Sequence, residues 1–149
     1  MTNVLSIHAV HQGGMRVVAG SDKHQVVMDY PRQPEDAAEG LTPLQMLLAS
    51  LAGCSASTVS LLLKKTNQPF TGLEVEARAF RRDEHPTVLT EISLEFLVKG
   101  SGVAPESVAQ ALKASEERLC PVWNMLKCGT PIKASFSIVE NPVATHATH

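Results

Sequence analysis

From Leu44 to Leu63 the chain carries no charged side chain. A run of this length that is apolar all round either packs as a helix inside a protein or crosses a bilayer, so it dictates what the rest of the chain must do. Leu44, Met46, Leu47, Leu48, Leu51, Leu61, Leu62 and Leu63 leave no wet face. Ala49, Ser50, Ala52, Gly53, Ser55, Ala56, Ser57, Thr58 and Ser60 fill most of the space between them. The start is signalled by Thr42 as N-cap, Pro43 at the first helical position, and Gln45 completing a Thr-x-x-Gln capping box. Lys64 to Pro69 end it. Cys54 lies in the middle between Gly53 and Ser55, where a neighbouring element can approach the backbone and leave the thiol open.

Gln45 and the interspersed Ser and Thr residues count against a membrane span. No second span appears, and MTNVLSIHAVHQGG lacks the basic start and apolar core of a signal peptide. The expectation is a central helix wrapped by sheet, with a partner chain on one side, and hence an obligate homodimer. The chain's 149 residues, 44% hydrophobic and 19% charged, suit a soluble domain with a core of its own. A net charge of -2 gives no argument for nucleic acid or an anionic membrane as partner. Three widely spaced cysteines are not a secreted disulfide framework, which points to a reducing cytoplasm.

Either side of the helix the pattern is that of strands. Val4 to His11, Met15 to Ala19 and His24 to Tyr30, separated by Gln12-Gly13-Gly14 and Gly20 to Lys23, read as an antiparallel meander. Pro31 to Gly40 is a polar loop. Leu73, Val75, Ala77 and Ala79 alternate with charged residues, as do Ile92, Leu94, Phe96 and Val98 with polar ones, which predicts a long hairpin with one buried face. Pro105 to Leu119 is an amphipathic helix, and Cys120 caps a short helix from Pro121 to Lys127. Gly129 is its stop signal, and Ile132 to Ile138 alternates as a last strand. The order βββ-α-ββ-α-β with antiparallel hairpins is α+β. A single domain is expected over 1–140, followed by a loose C-terminal tail over 141–149.

Cys54 is either a small buried hydrophobe or, beside a cation, a reactive thiol. Arg16 on the N-terminal hairpin is the candidate cation, the alternative being an ordinary edge-strand surface residue. Cys120, at an N-cap, would face unsatisfied amide N–H groups that favour the thiolate; the alternative is a cysteine that merely precedes a proline. Cys128, near a short helix end before Gly129, reads as structural or incidental. Cys54 and Cys120 can act as nucleophile and resolving partner if the fold brings them together. His8 and His11 point to opposite faces of a strand, and the remaining histidines lie in no metal-binding pattern. Hydrolase, nucleotide-binding and metalloprotease signatures are all missing.

Two passages together resemble the OsmC/Ohr family, the osmotically inducible and organic hydroperoxide resistance proteins. Leu48 to Cys54, a small-residue stretch before a cysteine, resembles the family's central helix. Cys120-Pro121-Val122, followed by Trp123 to Leu126, resembles its second-cysteine motif. Gly14-Met15 and Asp29 are similar to its front end, and the likeness runs from Val4 to Glu140. The resemblance implies an intertwined α+β homodimer with two active sites at the interface. It implies Cys54 as peroxidatic thiol, Cys120 as resolving thiol, and Arg16 as the group that holds the first thiolate. Well-studied peroxidases of the family place a glutamate in the first turn of the central helix to orient that arginine. This chain has Leu44 and Gln45 there, with Glu39 just upstream as the possible substitute, which points to a less-studied branch. The implied activity is reduction of organic hydroperoxides, with a dithiol reductant and no metal, haem or flavin. The alternative is a non-catalytic dimer that binds a small apolar ligand at its interface.

Overall fold

In a computed structural model, which describes residues 3–140, the long helix begins where its start signals place it. Gln45 N–H donates to Thr42 Oγ1 at 3.2 Å and Thr42 N–H donates to Gln45 Oε1 at 2.9 Å, so both halves of the capping box form. The helix, α1, spans Pro43–Lys65. Before it come strands β1 (His8–His11), β2 (Val17–Gly20) and β3 (Gln25–Met28). After it come β4 (Gly72–Arg81), β5 (Leu89–Lys99), α2 (Pro105–Ala114), a π-helical turn over Ser115–Leu119, α3 (Pro121–Leu126) and β6 (Ile132–Val139). The expected tail over 141–149 lies outside the described residues.

The chain divides into two compact units, one ending at Leu48 and the other beginning at Ala49. In the N-terminal unit β1, β2 and β3 form the expected antiparallel meander, with His8 opposite Gly20 and Val17 opposite Met28. Gly13 and Gly14, at φ +98° and +58°, make the turn that side chains with a Cβ would resist. The strands are shorter than the sequence limits because β1 buries none of its residues, so little beyond the ladder itself fixes their ends. Past β3 the loop folds back: Asp29 N–H donates to Leu41 O at 3.1 Å, and Met28 bridges Leu41 in parallel.

The C-terminal unit is built on the β4–β5 hairpin, paired from Gly72–Lys99 to Arg81–Leu89. Ile92, Leu94, Phe96 and Val98 are buried, as their alternation predicts. Val108, Ala111 and Leu112 of α2 and Trp123 of α3 are also buried. Phe96 and Trp123 stack with ring centroids 6.5 Å apart. Burying a side chain of this kind contributes roughly 1.5–3 kcal/mol, so this cluster is a large part of what holds the unit together.

Three features differ from the sequence reading. The sheets are not antiparallel throughout, because β6 pairs with β5 in parallel, Ile92 opposite Ile132 and Val98 opposite Ile138. The helical segment between them is the long crossover that parallel strands require. The helix from Pro105 ends as α at Ala114 and continues as the π turn, closed by Cys120 N–H donating to Ser115 O at 3.0 Å. Finally, the central helix is buried along one stripe only, Leu51, Ser55, Val59 and Leu63, rather than all round. By length and composition α1 would suffice to cross a bilayer, yet these four side chains are wholly enclosed by protein.

Candidate active site

The two cysteines that the sequence singles out come together in the C-terminal unit. Cys54 sits mid-way along α1, half-buried, with its carbonyl accepting a 2.9 Å hydrogen bond from Thr58 Oγ1. Cys120 joins the π turn to α3 in an extended conformation (φ −86°, ψ 107°) and is fully buried. The Cys54 thiol faces the thiol of Cys120 and the backbone N–H of Val122. Cys120 Sγ in turn lies 3.6 Å from Ser55 Oγ, in a wholly buried contact.

Cys120 does hold the N-cap position of α3, but its thiol makes no capping hydrogen bond. The expectation that it faces free amide groups is therefore corrected: the sulfur turns inward to Ser55. The Cys120 backbone is what α3 uses. Its carbonyl accepts from Asn124 N–H at 3.0 Å and from Asn124 Nδ2 at 2.8 Å, while the same Nδ2 lies 3.4 Å from Ser115 O. One asparagine thus ties the π turn, Cys120 and α3 together. Cys128 is exposed, with its thiol 3.5 Å from Asn124 O.

Burial pushes the Cys54 thiol above its ordinary value. The Val122 N–H, which donates to the sulfur, pulls it down, and the neighbouring Cys120 thiol adds a further upward push. Within the C-terminal unit burial and Cys120 together outweigh the Val122 N–H, and the balance favours the thiol form.

The N-terminal unit holds Arg16 and Glu39. Arg16 Nε donates to Glu39 Oε2 at 2.6 Å, with the two side chains 34% and 66% exposed. Glu39 is placed by Asp29, whose Oδ2 accepts Glu39 N–H at 3.2 Å while its Oδ1 accepts Tyr30 N–H at 2.8 Å. Gly14, Arg16, Asp29, Arg32 and Glu39 line part of a cleft of about 450 Å³. Gln45, the other supporting candidate, is engaged in the capping box instead. Among the described residues no group of three or more His, Cys, Asp or Glu could hold a metal ion.

Ser55, Asn124 and the Val122 N–H were not singled out by the sequence. The one available signal for Ser55 is its spacing: it is the sole polar member of the series Leu51, Ser55, Val59, Leu63. In a helix without charge that stripe does not stand out.

The model of the OsmC-like protein family matches residues 35–135. Protein YhfA of Escherichia coli K12 is 34% identical over 116 residues, covering 78% of this chain and 84% of its own length. Among solved structures, the OsmC-like protein of Mycoplasma pneumoniae superposes with a TM-score of 0.78 at 23% identity, covering 95% of this chain and 100% of that one. The organic hydroperoxide resistance protein OhrB of Bacillus subtilis superposes with a TM-score of 0.62 at 18% identity, covering 89% and 96%. At these identities the structural likeness speaks for the fold.

Proposed function

The chain belongs to the OsmC-like family, and from that premise we propose that it is a two-cysteine thiol peroxidase acting on organic hydroperoxides. The observation that carries the reading is the meeting of a half-buried Cys54 thiol with a fully buried Cys120 thiol. Their unequal exposure suits their unequal roles. The Cys54 thiolate attacks the peroxide, the O–O bond breaks, and the alcohol leaves as the sulfur takes one oxygen. Cys120 then attacks the sulfenic sulfur, the S–O bond breaks and water departs, closing a disulfide. An external dithiol reopens it by exchange. The reaction runs in a reducing cytoplasm and in a homodimer. Arg16 takes the part that the resemblance implies, favouring the Cys54 thiolate, with Glu39 in place of the family's helix-start glutamate. The Arg16–Glu39 ion pair supports that assignment.

The test is intact-mass spectrometry after one equivalent of cumene hydroperoxide. The expected results are a disulfide in the wild type, no oxidation in Cys54→Ser, a dimedone-trappable sulfenic acid in Cys120→Ser, and wild-type behaviour in Cys128→Ser. Absence of oxygen addition at Cys54 in Cys120→Ser, or a wild-type disulfide through Cys128, would refute the reading. The upward push on Cys54 by burial favours a second reading, a dimer that binds a small apolar ligand without chemistry. On that reading no thiol is lost rapidly.

A further inference from the structure

Ser55 occupies a place that an alanine would fill. Its neighbours along the buried stripe of α1, Leu51, Val59 and Leu63, are all hydrocarbon, and its own exposure is 0%. Burying a hydroxyl costs stability unless it finds a partner. The partner it finds is the sulfur of Cys120, 3.6 Å away and sixty-five positions along the chain. Ser55 also follows Cys54 directly, so one turn of α1 presents both the first thiol and the hydroxyl to the same buried sulfur.

We propose that Ser55 is a positioning residue for the resolving step, holding Cys120 Sγ beside Cys54 and hydrogen-bonding the Cys120 thiolate as it forms. This rests on the two-cysteine reading above. In that step Cys54–S–OH and Cys120–SH give the disulfide and water. The S–S bond forms, the S–O and S–H bonds break, and the thiol proton joins the departing hydroxide. The Cys120 sulfur is oxidised and the sulfenic sulfur reduced, the hydroperoxide having supplied the oxidising equivalents. A serine hydroxyl suits both ends of this change, accepting from the S–H before and donating to the sulfur after. Its bond to the charged form is the stronger, so its net effect favours the thiolate. The other side chain that meets Cys120 Sγ is Cys54 itself, the sulfur with which the new bond forms.

Ser55→Ala removes one oxygen from a packed site and leaves the fold in place. In a Cys128→Ser background, treated with one equivalent of cumene hydroperoxide over a pH series, Ser55→Ala should oxidise Cys54 at the parental rate. Disulfide closure should slow by at least about tenfold near neutral pH, the worth of a buried hydrogen bond to a charged group. The deficit should shrink as pH rises, because alkali supplies the thiolate that Ser55 no longer favours. Closure unchanged at every pH, or slowed equally at every pH as a packing defect would do, overturns the proposal. A second measurement needs no peroxide. With diamide as oxidant, which leaves a displaceable adduct on the Cys54 sulfur, closure by Cys120 should slow by the same factor once Ser55→Ala is added. Closure at the parental rate overturns the role of Ser55. A wild type inert to hydroperoxide, with the diamide closure slowed as expected, would sink the peroxidase reading alone.

Discussion

Alkylation of Cys54 by iodoacetamide offers a direct reading of its surroundings. The thiolate is the reacting species, so below the thiol's titration range the rate rises about tenfold per pH unit. Burial and Cys120 raise that range at Cys54, and only the Val122 N–H opposes them. In Cys128→Ser with Arg16→Ala, where the exposed third thiol and the proposed cation are both gone, the rate should therefore climb about a hundredfold from pH 6 to pH 8 and show no plateau there. Replacing Cys120 by Ala removes one upward push, so the whole profile should move toward lower pH. Each unit of movement corresponds to about 1.4 kcal/mol of preference for the charged form. The same shift has a consequence for stability. The folded chain holds the Cys54 proton more tightly than the unfolded chain does. Its contribution is therefore whole below the unfolded thiol's range and is lost as pH rises through the folded value. Peptide mapping of carbamidomethylated Cys54 against pH is the assay. A plateau by pH 7 in that double variant would refute this account. With Arg16 restored, the profile should move toward lower pH, and an unchanged profile would remove Arg16 from the site.

Two further outcomes follow from the fold. Gly100 has φ +150°, and a Cβ there would sit 2.5 Å from Pro69 O and 2.9 Å from Phe70 Cα. Gly100→Ala should therefore lower stability by about 1–3 kcal/mol in urea unfolding, since the contacts are with backbone that has no rotamer to move. Leu5, Ile7, Phe80 and Met125 stand 91%, 69%, 72% and 77% exposed on the single chain, apolar side chains that a homodimer interface would cover. Light scattering should accordingly give twice the chain mass at micromolar concentration, and a stable folded monomer would refute the homodimer.

Local chemistry is what the sequence made legible. The capping box at Thr42 and Gln45 is a contact across three residues, so spacing alone names both partners. The alternation of Ile92, Leu94, Phe96 and Val98 fixes which side of β5 is buried, because side chains on a strand repeat every two residues. Alternation is blind to direction, however. The parallel placement of β6 on β5 depends on the path of the chain between Lys99 and Ile132. The π turn is equally silent, since no residue pattern marks a hydrogen bond from Cys120 N–H to Ser115 O. At the site, the two cysteines could be named from their settings, and Arg16 with Glu39 from the family resemblance. The partner of Ser55 could not, because a pairing across the chain leaves no trace in spacing.

The setting of the two sulfurs also bears on which one moves. Cys54 is held within a helix of 23 residues, with helical hydrogen bonds on both sides and Thr58 bound to its carbonyl. Cys120 stands between a π turn and a proline, where the chain has already left helical geometry. Displacing Cys54 would strain α1 over several turns, whereas a shift of Cys120 is absorbed at the single non-helical residue between the π turn and α3. π turns recur at functional sites. A disulfide needs Cα atoms about 4.4–6.8 Å apart, so in the proposed reaction the approach falls to Cys120. Once the S–S bond has formed, the Cys120 sulfur carries neither proton nor charge and is a poorer partner for the buried Ser55 hydroxyl than a thiol or thiolate. An unpaired buried hydroxyl costs about 1–3 kcal/mol, which weighs against the oxidised form and in favour of its reduction. The hydroxyl that speeds closure thus also keeps the disulfide easy to reopen, as a thiol that must turn over requires.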